Sequence, residues 1–252
     1  MKKFITMVFG IIFLCGCQKE TADNTWVVAT NATYAPYVSI KDGKIVGFDM
    51  DVAKIIAEKL HKKIEIKDMG FDSLILALQQ NKVDMIIGGI SITPSREKEI
   101  FLIPYQGKPV THFTLVLWEK PNRSIEKFED LVGLHIAVQT GTIQQTFLER
   151  YPSIKIDSLE GNTETLMNVQ YKKSFAALVE PVIAQEMQLK FPHLTLIDLP
   201  LPEEFWALGN GIGVAKNNPE KRDRVAQLIE DMQKEGILAQ LEQKWLKVQT
   251  HD

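Results

Sequence analysis

Residues 48–66 have the sequence FDMDVAKIIAEKLHKKIEI, in which apolar residues recur at helical spacing from Phe48 to Leu60. This periodicity predicts an amphipathic helix that packs along one stripe and leaves Asp49 and Asp51 on solvated faces. The last three residues of the stretch alternate apolar and charged side chains, as a strand does. A helix that leads directly into a strand is the repeating unit of α/β proteins.

The alternation of strands and helices extends in both directions from this stretch. In the first half of the chain, strands are predicted at 26–30, 64–66 and 85–87, and helices at 48–60 and 71–80. A second set comprises strands at 135–138, 154–156 and 176–179 and helices after Gly141, at 164–171 and after Pro181. Two successive sets predict an α/β protein of two lobes, each a mainly parallel sheet flanked by helices.

The last part of the chain has too few strands for a third unit. It offers a strand at 211–215 and helices at 219–234 and 237–245, which we expect to rejoin the first lobe. The chain would then cross between lobes twice, near 111–116 and 205–211, and form a two-stranded hinge with a ligand cleft beside it. The predicted division is 26–113 and 209–252 for lobe 1 and 114–208 for lobe 2.

The amino terminus has the charged, apolar and small-residue order of a secretory signal. Its apolar run, about 11 residues, is too short to cross a bilayer about 30 Å thick. Leu14-Cys15-Gly16-Cys17 resembles a bacterial lipobox, although two incidental cysteines are the alternative. We therefore predict a signal peptide at 1–16, an acylated Cys17 that anchors the chain to a lipid bilayer, and a polar tether at 17–25. The protein is expected in the periplasm or outer cell envelope.

Composition and motifs exclude several classes of function. The net charge of −3 argues against a nucleic-acid partner. The five histidines are scattered, with no two at metal-ligand spacing on one helix, so neither a metal nor a cofactor is expected. The glycines at 209–213 precede a strand rather than open a helix, which argues against a phosphate-binding loop and favours a hinge.

Arg96 is the first candidate binding residue. Thr93 and Pro94 form a credible helix start, whose free amides favour an anion, and the guanidinium can hold a carboxylate through two parallel hydrogen bonds. A surface arginine paired with Glu97 or Glu99 is the alternative.

Small and acidic residues at strand ends supply further candidates. Gly88 and Gly89 end a strand, where a ligand can approach the backbone, and Ser91 offers a hydroxyl or an amide. A plain turn is the alternative for the glycines. Glu180 follows a strand and precedes Pro181, where a carboxylate can meet a ligand's ammonium or merely complement a helix amino terminus.

Sequence blocks along nearly the whole mature chain resemble the polar amino-acid-binding, two-domain solute receptors of ABC importers. The blocks are Asn31-Ala-Thr-Tyr-Ala-Pro-Tyr, Gly47-Phe-Asp-Met-Asp, Phe71-Asp-Ser-Leu-Ile, Ser91-Ile-Thr-Pro-Ser-Arg-Glu-Lys, Gln139-Thr-Gly-Thr and the segment 236–245. The resemblance implies the type II periplasmic-binding-protein fold, action as a monomer, and delivery of a free amino acid to importer membrane subunits by closure of the cleft.

The resemblance also implies a role for each residue that matches a family position. Arg96 would hold the ligand's carboxylate, together with the turn Gly141–Thr142, and Glu180 would hold its α-amino group. Tyr34 and Phe71 would sandwich the side chain. The remaining predicted ligand contacts are Asn31, Gly88, Gly89, Ser91, Gln139 and Gln144.

The blocks are most similar to the arginine-binding branch, so arginine is the predicted ligand. Asn31 stands where many receptors for basic ligands have an acid, and it offers oxygen acceptors without charge. Lysine, ornithine, histidine and glutamine therefore remain alternatives.

Two other classes of function compete with an amino-acid receptor. Some relatives resemble cyclohexadienyl dehydratases, in which a carboxylate such as Glu180 serves as a general acid, but no second proton-transfer residue is evident here. A sensory or surface-interaction protein could use the same cleft. We predict a binding protein rather than an enzyme.

Overall fold

The structure is a computed structural model that describes residues 24–246. The predicted signal peptide at 1–16, the acylated Cys17 and all but the end of the tether at 17–25 lie outside these residues. Between residues 24 and 246, no helix is both long and apolar enough to cross a membrane.

Strands and helices alternate along most of the described chain. The strands are β1 Thr25–Thr30, β2 Thr33–Tyr34, β3 Val38–Lys41, β4 Lys44–Val46, β5 Lys63–Asp68, β6 Met85–Ile86, β7 Ile100–Gln106, β8 His112–Leu117, β9 His135–Gln139, β10 Lys155–Leu159, β11 Ala176–Val179, β12 Thr195–Pro200 and β13 Asn210–Ala215. The α helices are α1 Phe48–Lys59, α2 Leu74–Gln79, α3 Pro94–Glu99, α4 Ile143–Leu148, α5 Asn162–Gln170, α6 Pro181–Lys190, α7 Pro219–Lys234 and α8 Ile237–Trp245.

Two five-stranded sheets form the centres of two lobes, which confirms the predicted fold class. Their strand orders are β5-β1-β6-β13-β7 and β10-β9-β11-β8-β12. In each sheet the first three strands are parallel and the next two pairings are antiparallel. Four strands of each sheet therefore run in the same direction, as predicted, and the sheets are mixed only through β13 and β8, which each enter their sheet from the other lobe and not through a crossover helix.

The chain crosses between the lobes twice, at 107–111 and at 201–209. The two crossings run side by side, since the Val110 amide donates to the Ala207 carbonyl at 2.9 Å. The first crossing lies earlier than the predicted 111–116, because β8 already occupies most of that stretch. Phe113, which the sequence-based division left in lobe 1, belongs to the second sheet and is buried in the second lobe's core.

Helix α1 packs on the first sheet, as its periodicity predicts, but one of its acids does not face solvent. Asp49 is fully buried, and the Tyr105 hydroxyl donates to its Oδ1 at 2.7 Å. Burial raises the pKa of Asp49 to about 7, although hydrogen bonds from Tyr105 and from the Gly89 amide oppose the shift. The helical period alone missed this residue because Tyr105 of β7 and the segment just before β3 cover the first turn of α1.

The predicted return of the chain to the first lobe is also observed. Strand β13 lies between β6 and β7, and α8 packs against α1. Both Lys244 Nζ and Trp245 Nε1 donate to Asp51 Oδ2, at 2.7 and 2.8 Å. Asp51 thus fastens the end of the described chain to its first long helix.

Candidate functional site

A cavity between the two lobes collects the residues that the sequence singles out. Eleven of the twelve predicted ligand contacts line it: Asn31, Tyr34, Phe71, Gly88, Gly89, Ser91, Arg96, Gln139, Thr142, Gln144 and Glu180. The twelfth, Gly141, is not part of the lining, but its carbonyl accepts a hydrogen bond from Arg96. The cavity is thus formed from both lobes.

Local sequence explains where Arg96 lies. Thr93 caps the short helix α3, its Oγ1 accepting from the Arg96 amide at 3.3 Å, and Pro94 occupies the first turn. The side chain is only 8% exposed. Its Nη1 donates to the Ser91 carbonyl at 3.0 Å and its Nη2 to the Gly141 carbonyl of the other lobe at 3.1 Å. The predicted alternative of a surface ion pair is wrong.

Burial lowers the pKa of Arg96 to about 10, while the charge of Glu180 opposes the shift. The guanidinium therefore stays charged at neutral pH. The Phe71 ring supports it, with 5.4 Å between the guanidinium carbon and the ring centroid.

Glu180 lies where β11 ends and α6 begins, directly before Pro181. It is buried and accepts hydrogen bonds from the Tyr34 hydroxyl and, at 3.2 Å, from the Ser91 hydroxyl. Burial raises the pKa of Glu180; these two hydrogen bonds, the charge of Arg96 and a hydrogen bond from Gln144 oppose the shift. Glu180 is therefore a buried acid held close to groups that favour its charged form.

Glycine is required where the backbone approaches Tyr34. Gly89 has a φ of 68°, and a Cβ built there would lie 2.5 Å from the Tyr34 ring. The same ring stacks on Tyr37, with 5.0 Å between centroids. Tyr34 and Phe71 both line the cavity, so their predicted sandwich around a ligand side chain stays a prediction that the geometry allows.

Amide side chains occupy another part of the lining. Gln139 Nε2 donates to Asn31 Oδ1 at 2.9 Å, across the two lobes, and Asn162 Nδ2 donates to Gln139 Oε1 at 3.3 Å. Asn31 Nδ2 in turn donates to the Met69 carbonyl at 2.9 Å. This region is polar but uncharged.

Sequence reasoning did not identify five of the lining residues: Ile143, Asn162, Leu178, Val179 and Ile183. The four apolar residues carry no signal that separates a cavity wall from a core. Asn162 could have been found, because it opens a helix just after a strand of the second lobe, as Glu180 does.

The charges of the lining define what it can recognise. Among the described lining residues, Arg96 is the one cation and Glu180 the one carboxylate. One buried charge of each sign suits a zwitterion better than a substrate that needs a second proton-transfer group. Within residues 24–246, no group of three or more histidine, cysteine, aspartate or glutamate residues could hold a metal ion.

Known proteins share the sequence pattern and the fold of this chain. A family model of bacterial extracellular solute-binding proteins, family 3, matches residues 26–248. The probable ABC transporter arginine-binding protein ArtJ of Chlamydia trachomatis is 42% identical over 236 residues, which cover 92% of this chain and 91% of that protein. The arginine-binding extracellular protein ArtP of Bacillus subtilis is 26% identical over 256 residues, 97% of this chain and 98% of that one.

A solved structure shows the same architecture. The P235GK mutant of the arginine-binding protein ArgBP from T. maritima superposes with a TM-score of 0.82 at 28% identity, covering 89% of this chain and 96% of that one. These relatives are binding proteins, which confirms the prediction of a binding protein rather than an enzyme. The chain belongs to the bacterial extracellular solute-binding proteins of family 3.

Proposed function

We propose that this protein captures a free amino acid, preferably arginine, between its two lobes and delivers it to the membrane subunits of an ABC importer. The observation that carries the proposal is the pair Arg96 and Glu180, two buried opposite charges that Ser91 connects. A free α-amino acid carries a carboxylate and an ammonium on one carbon. Arg96 would hold the carboxylate through paired hydrogen bonds, and Glu180 would hold the ammonium.

Each of the other predicted contacts has a place in this proposal. The turn Gly141–Thr142 would complete the carboxylate site from the second lobe, and Gly88, Gly89 and Ser91 would let the ligand lie against the backbone of the first. Tyr34 and Phe71 would flank its side chain, and Gln144 would support Glu180. The names of the relatives favour arginine.

The amide region supports a second candidate ligand. Gln139 Oε1 accepts one hydrogen bond from Asn162 and can accept another from a guanidinium, whereas Asn31 Oδ1 already accepts from Thr33 and Gln139, and neither amide supplies a negative charge. The same amides can pair with a neutral side-chain amide. Glutamine is therefore the second candidate, ahead of lysine, ornithine and histidine, whose cations would lack a carboxylate partner there.

Capture works by closure of the cleft. A ligand that contacts both lobes stabilises the closed arrangement by its difference in affinity for the closed and open forms, and this difference limits the shift it causes. The closed shape would be the one that docks on the importer. No covalent step is needed.

Calorimetry with a panel of amino acids tests the proposal. The protein is first unfolded and refolded to remove any bound ligand. We expect L-arginine to bind most tightly, and agmatine, which lacks the carboxylate, to bind at least about tenfold more weakly, since one lost charge-assisted pair exceeds 1.4 kcal/mol. No heat with any amino acid, or agmatine binding as tightly as arginine, would contradict the proposal.

We further propose that the protein acts as a monomer at the cell envelope, anchored by an acylated Cys17. Its membership of an extracellular binding-protein family supports the location. Replacing Cys17 with alanine should move the protein from the membrane fraction to the soluble fraction without changing arginine binding. If the variant sediments with membranes as the parent does, the lipid anchor is wrong. Sedimentation of the soluble variant as a dimer would refute the monomer.

A further inference from the structure

A second set of contacts joins the lobes at the edge of the cavity. Thr33, in β2 of the first lobe, meets the turn Gly161–Asn162, which opens α5 in the second lobe. The Asn162 amide donates to Thr33 Oγ1 at 3.4 Å, and Asn162 Nδ2 donates to the Thr33 carbonyl at 3.3 Å. Neither Thr33 nor Gly161 belongs to the cavity lining.

Thr33 and Gly161 lie so close together that only a glycine fits at position 161. A Cβ built on Gly161 would lie 2.7 Å from Thr33 Cγ2 and 3.1 Å from Thr33 Cβ. It would also lie 2.7 Å from an oxygen of Glu164, but that atom ends a flexible, exposed side chain that can move away. Thr33 cannot move as easily, because its hydroxyl also donates to Asn31 Oδ1 at 2.5 Å.

Backbone conformation does not require glycine at position 161. Its φ of −146° and ψ of 171° are extended values that alanine adopts without strain. Gly141 differs, since its φ of 77° would strain any other residue. The absence of a side chain at 161 therefore matters for the approach of the other lobe and not for the local turn.

We propose that Thr33 and the turn Gly161–Asn162 form a closure catch, in which Thr33 and Gly161 raise ligand affinity without touching the ligand. The catch exists only where the lobes meet, so its hydrogen bonds and packing add to the stability of the closed arrangement alone. Anything that stabilises the closed form relative to the open form raises the apparent affinity for a ligand that needs closure. This inference rests on the proposed capture of an amino acid by closure.

Gly161→Ala tests the catch, because the added methyl group has room when the lobes separate and collides with Thr33 when they close. Overpacking a close contact weakens it, so we expect the dissociation constant for arginine to rise about ten- to hundredfold, mostly through faster dissociation. The variant is expressed from the full-length sequence and studied after refolding. Its melting temperature without arginine should stay near that of the parent.

Thr33→Ser supplies the matched control and the rescue. Serine keeps the hydroxyl and removes the methyl group that meets position 161, so alone it should change the dissociation constant by less than about threefold. Combined with Gly161→Ala, it should recover most of the lost affinity, a coupling expected of residues in contact. At an arginine concentration that just saturates the parent, X-ray scattering should show a larger radius of gyration for Gly161→Ala alone, because part of that variant is then unbound and open.

Two results would overturn the catch. Parental affinity in Gly161→Ala would show that the contact does not influence closure. A double variant as weak as Gly161→Ala would place the defect in the turn itself and not at Thr33. The proposed function fails in a different way, because the parent would then bind no amino acid.

Discussion

We expect calorimetry to detect no arginine binding when Arg96 is replaced with alanine. Arg96 is buried and is the one cation among the described lining residues, so no neighbouring side chain can replace its charge. Removing one partner of a buried, hydrogen-bonded charge pair costs about 2–5 kcal/mol, or about thirtyfold to several thousandfold in the dissociation constant. The loss includes the cost of leaving the ligand's carboxylate buried without its counter-charge.

Controls separate the carboxylate clamp from a general loss of structure. Arg222→Ala removes an arginine of the first lobe that lies over Phe101 and pairs with Asp223, outside the cavity, and should bind as the parent does. Agmatine, which has no carboxylate, should bind the parent and Arg96→Ala equally weakly, because the interaction between the two deleted groups is already absent. If Arg96→Ala weakens agmatine as much as arginine, Arg96 does not hold the carboxylate.

Elements with a strong period were predictable from the sequence, and strands that contain a proline were not. The predicted helices at 219–234 and 237–245 coincide with α7 and α8, since their apolar residues repeat and glycine or proline marks their starts. Strands β7 and β12 were not assigned. Both lie at the edge of a sheet, and both contain a proline, a residue that weakens the signal for a strand.

Some residues of the candidate site were also predictable from the sequence, and others were not. Arg96, Glu180 and the glycines could be named as candidates because a charge at a helix start, or a missing side chain at a strand end, suits a ligand, and the family resemblance gave each of them a role. Leu178 and Val179 were not, because a strand residue that faces a cavity has the same composition as one that faces a core. Asp49 was misplaced because its burial depends on Tyr105, which is distant in sequence.

Glu180→Gln is the second variant for which we expect a large loss of affinity. Glutamine keeps the shape and can still accept from Tyr34 or Ser91, but it offers no negative charge to the ligand's ammonium. We expect arginine to bind about thirtyfold to several thousandfold more weakly, the cost of breaking a buried charge pair. Glu186→Gln, on the same helix outside the cavity lining, is the control that should leave binding unchanged.

Glu180 should also make arginine binding depend on pH. Burial raises its pKa above the ordinary glutamate value of 4.5, and the ammonium of a bound ligand would lower it again. The affinity for arginine is therefore highest at pH values above the raised pKa that Glu180 has in the ligand-free protein. It falls as the pH drops through that pKa, by up to about tenfold per pH unit, until the lower pKa of the complex is reached.

Stability without ligand should change in the opposite direction. The folded protein binds a proton at Glu180 more tightly than the unfolded chain does, so this residue's contribution to the free energy of unfolding decreases as the pH rises from 4.5 through the raised pKa. The arginine affinity of the parent should change with pH between 4.5 and the raised pKa of Glu180. If the parent and Glu180→Gln both had constant affinity across this pH range, the assignment of the ammonium site would be contradicted.

Comparison with Glu180→Gln isolates this effect from the other buried acid near the site. Asp49 has a pKa raised to about 7 by burial, and it contacts the Gly89 amide, so it can add a pH dependence of its own. Asp49 is present in both proteins, and its contribution cancels in the ratio of their dissociation constants. That ratio should be largest at high pH and shrink as the pH falls, because protonated Glu180 and glutamine are both neutral. A ratio that grows toward low pH would mean that Glu180 acts in its protonated form and does not bind the ammonium as a carboxylate.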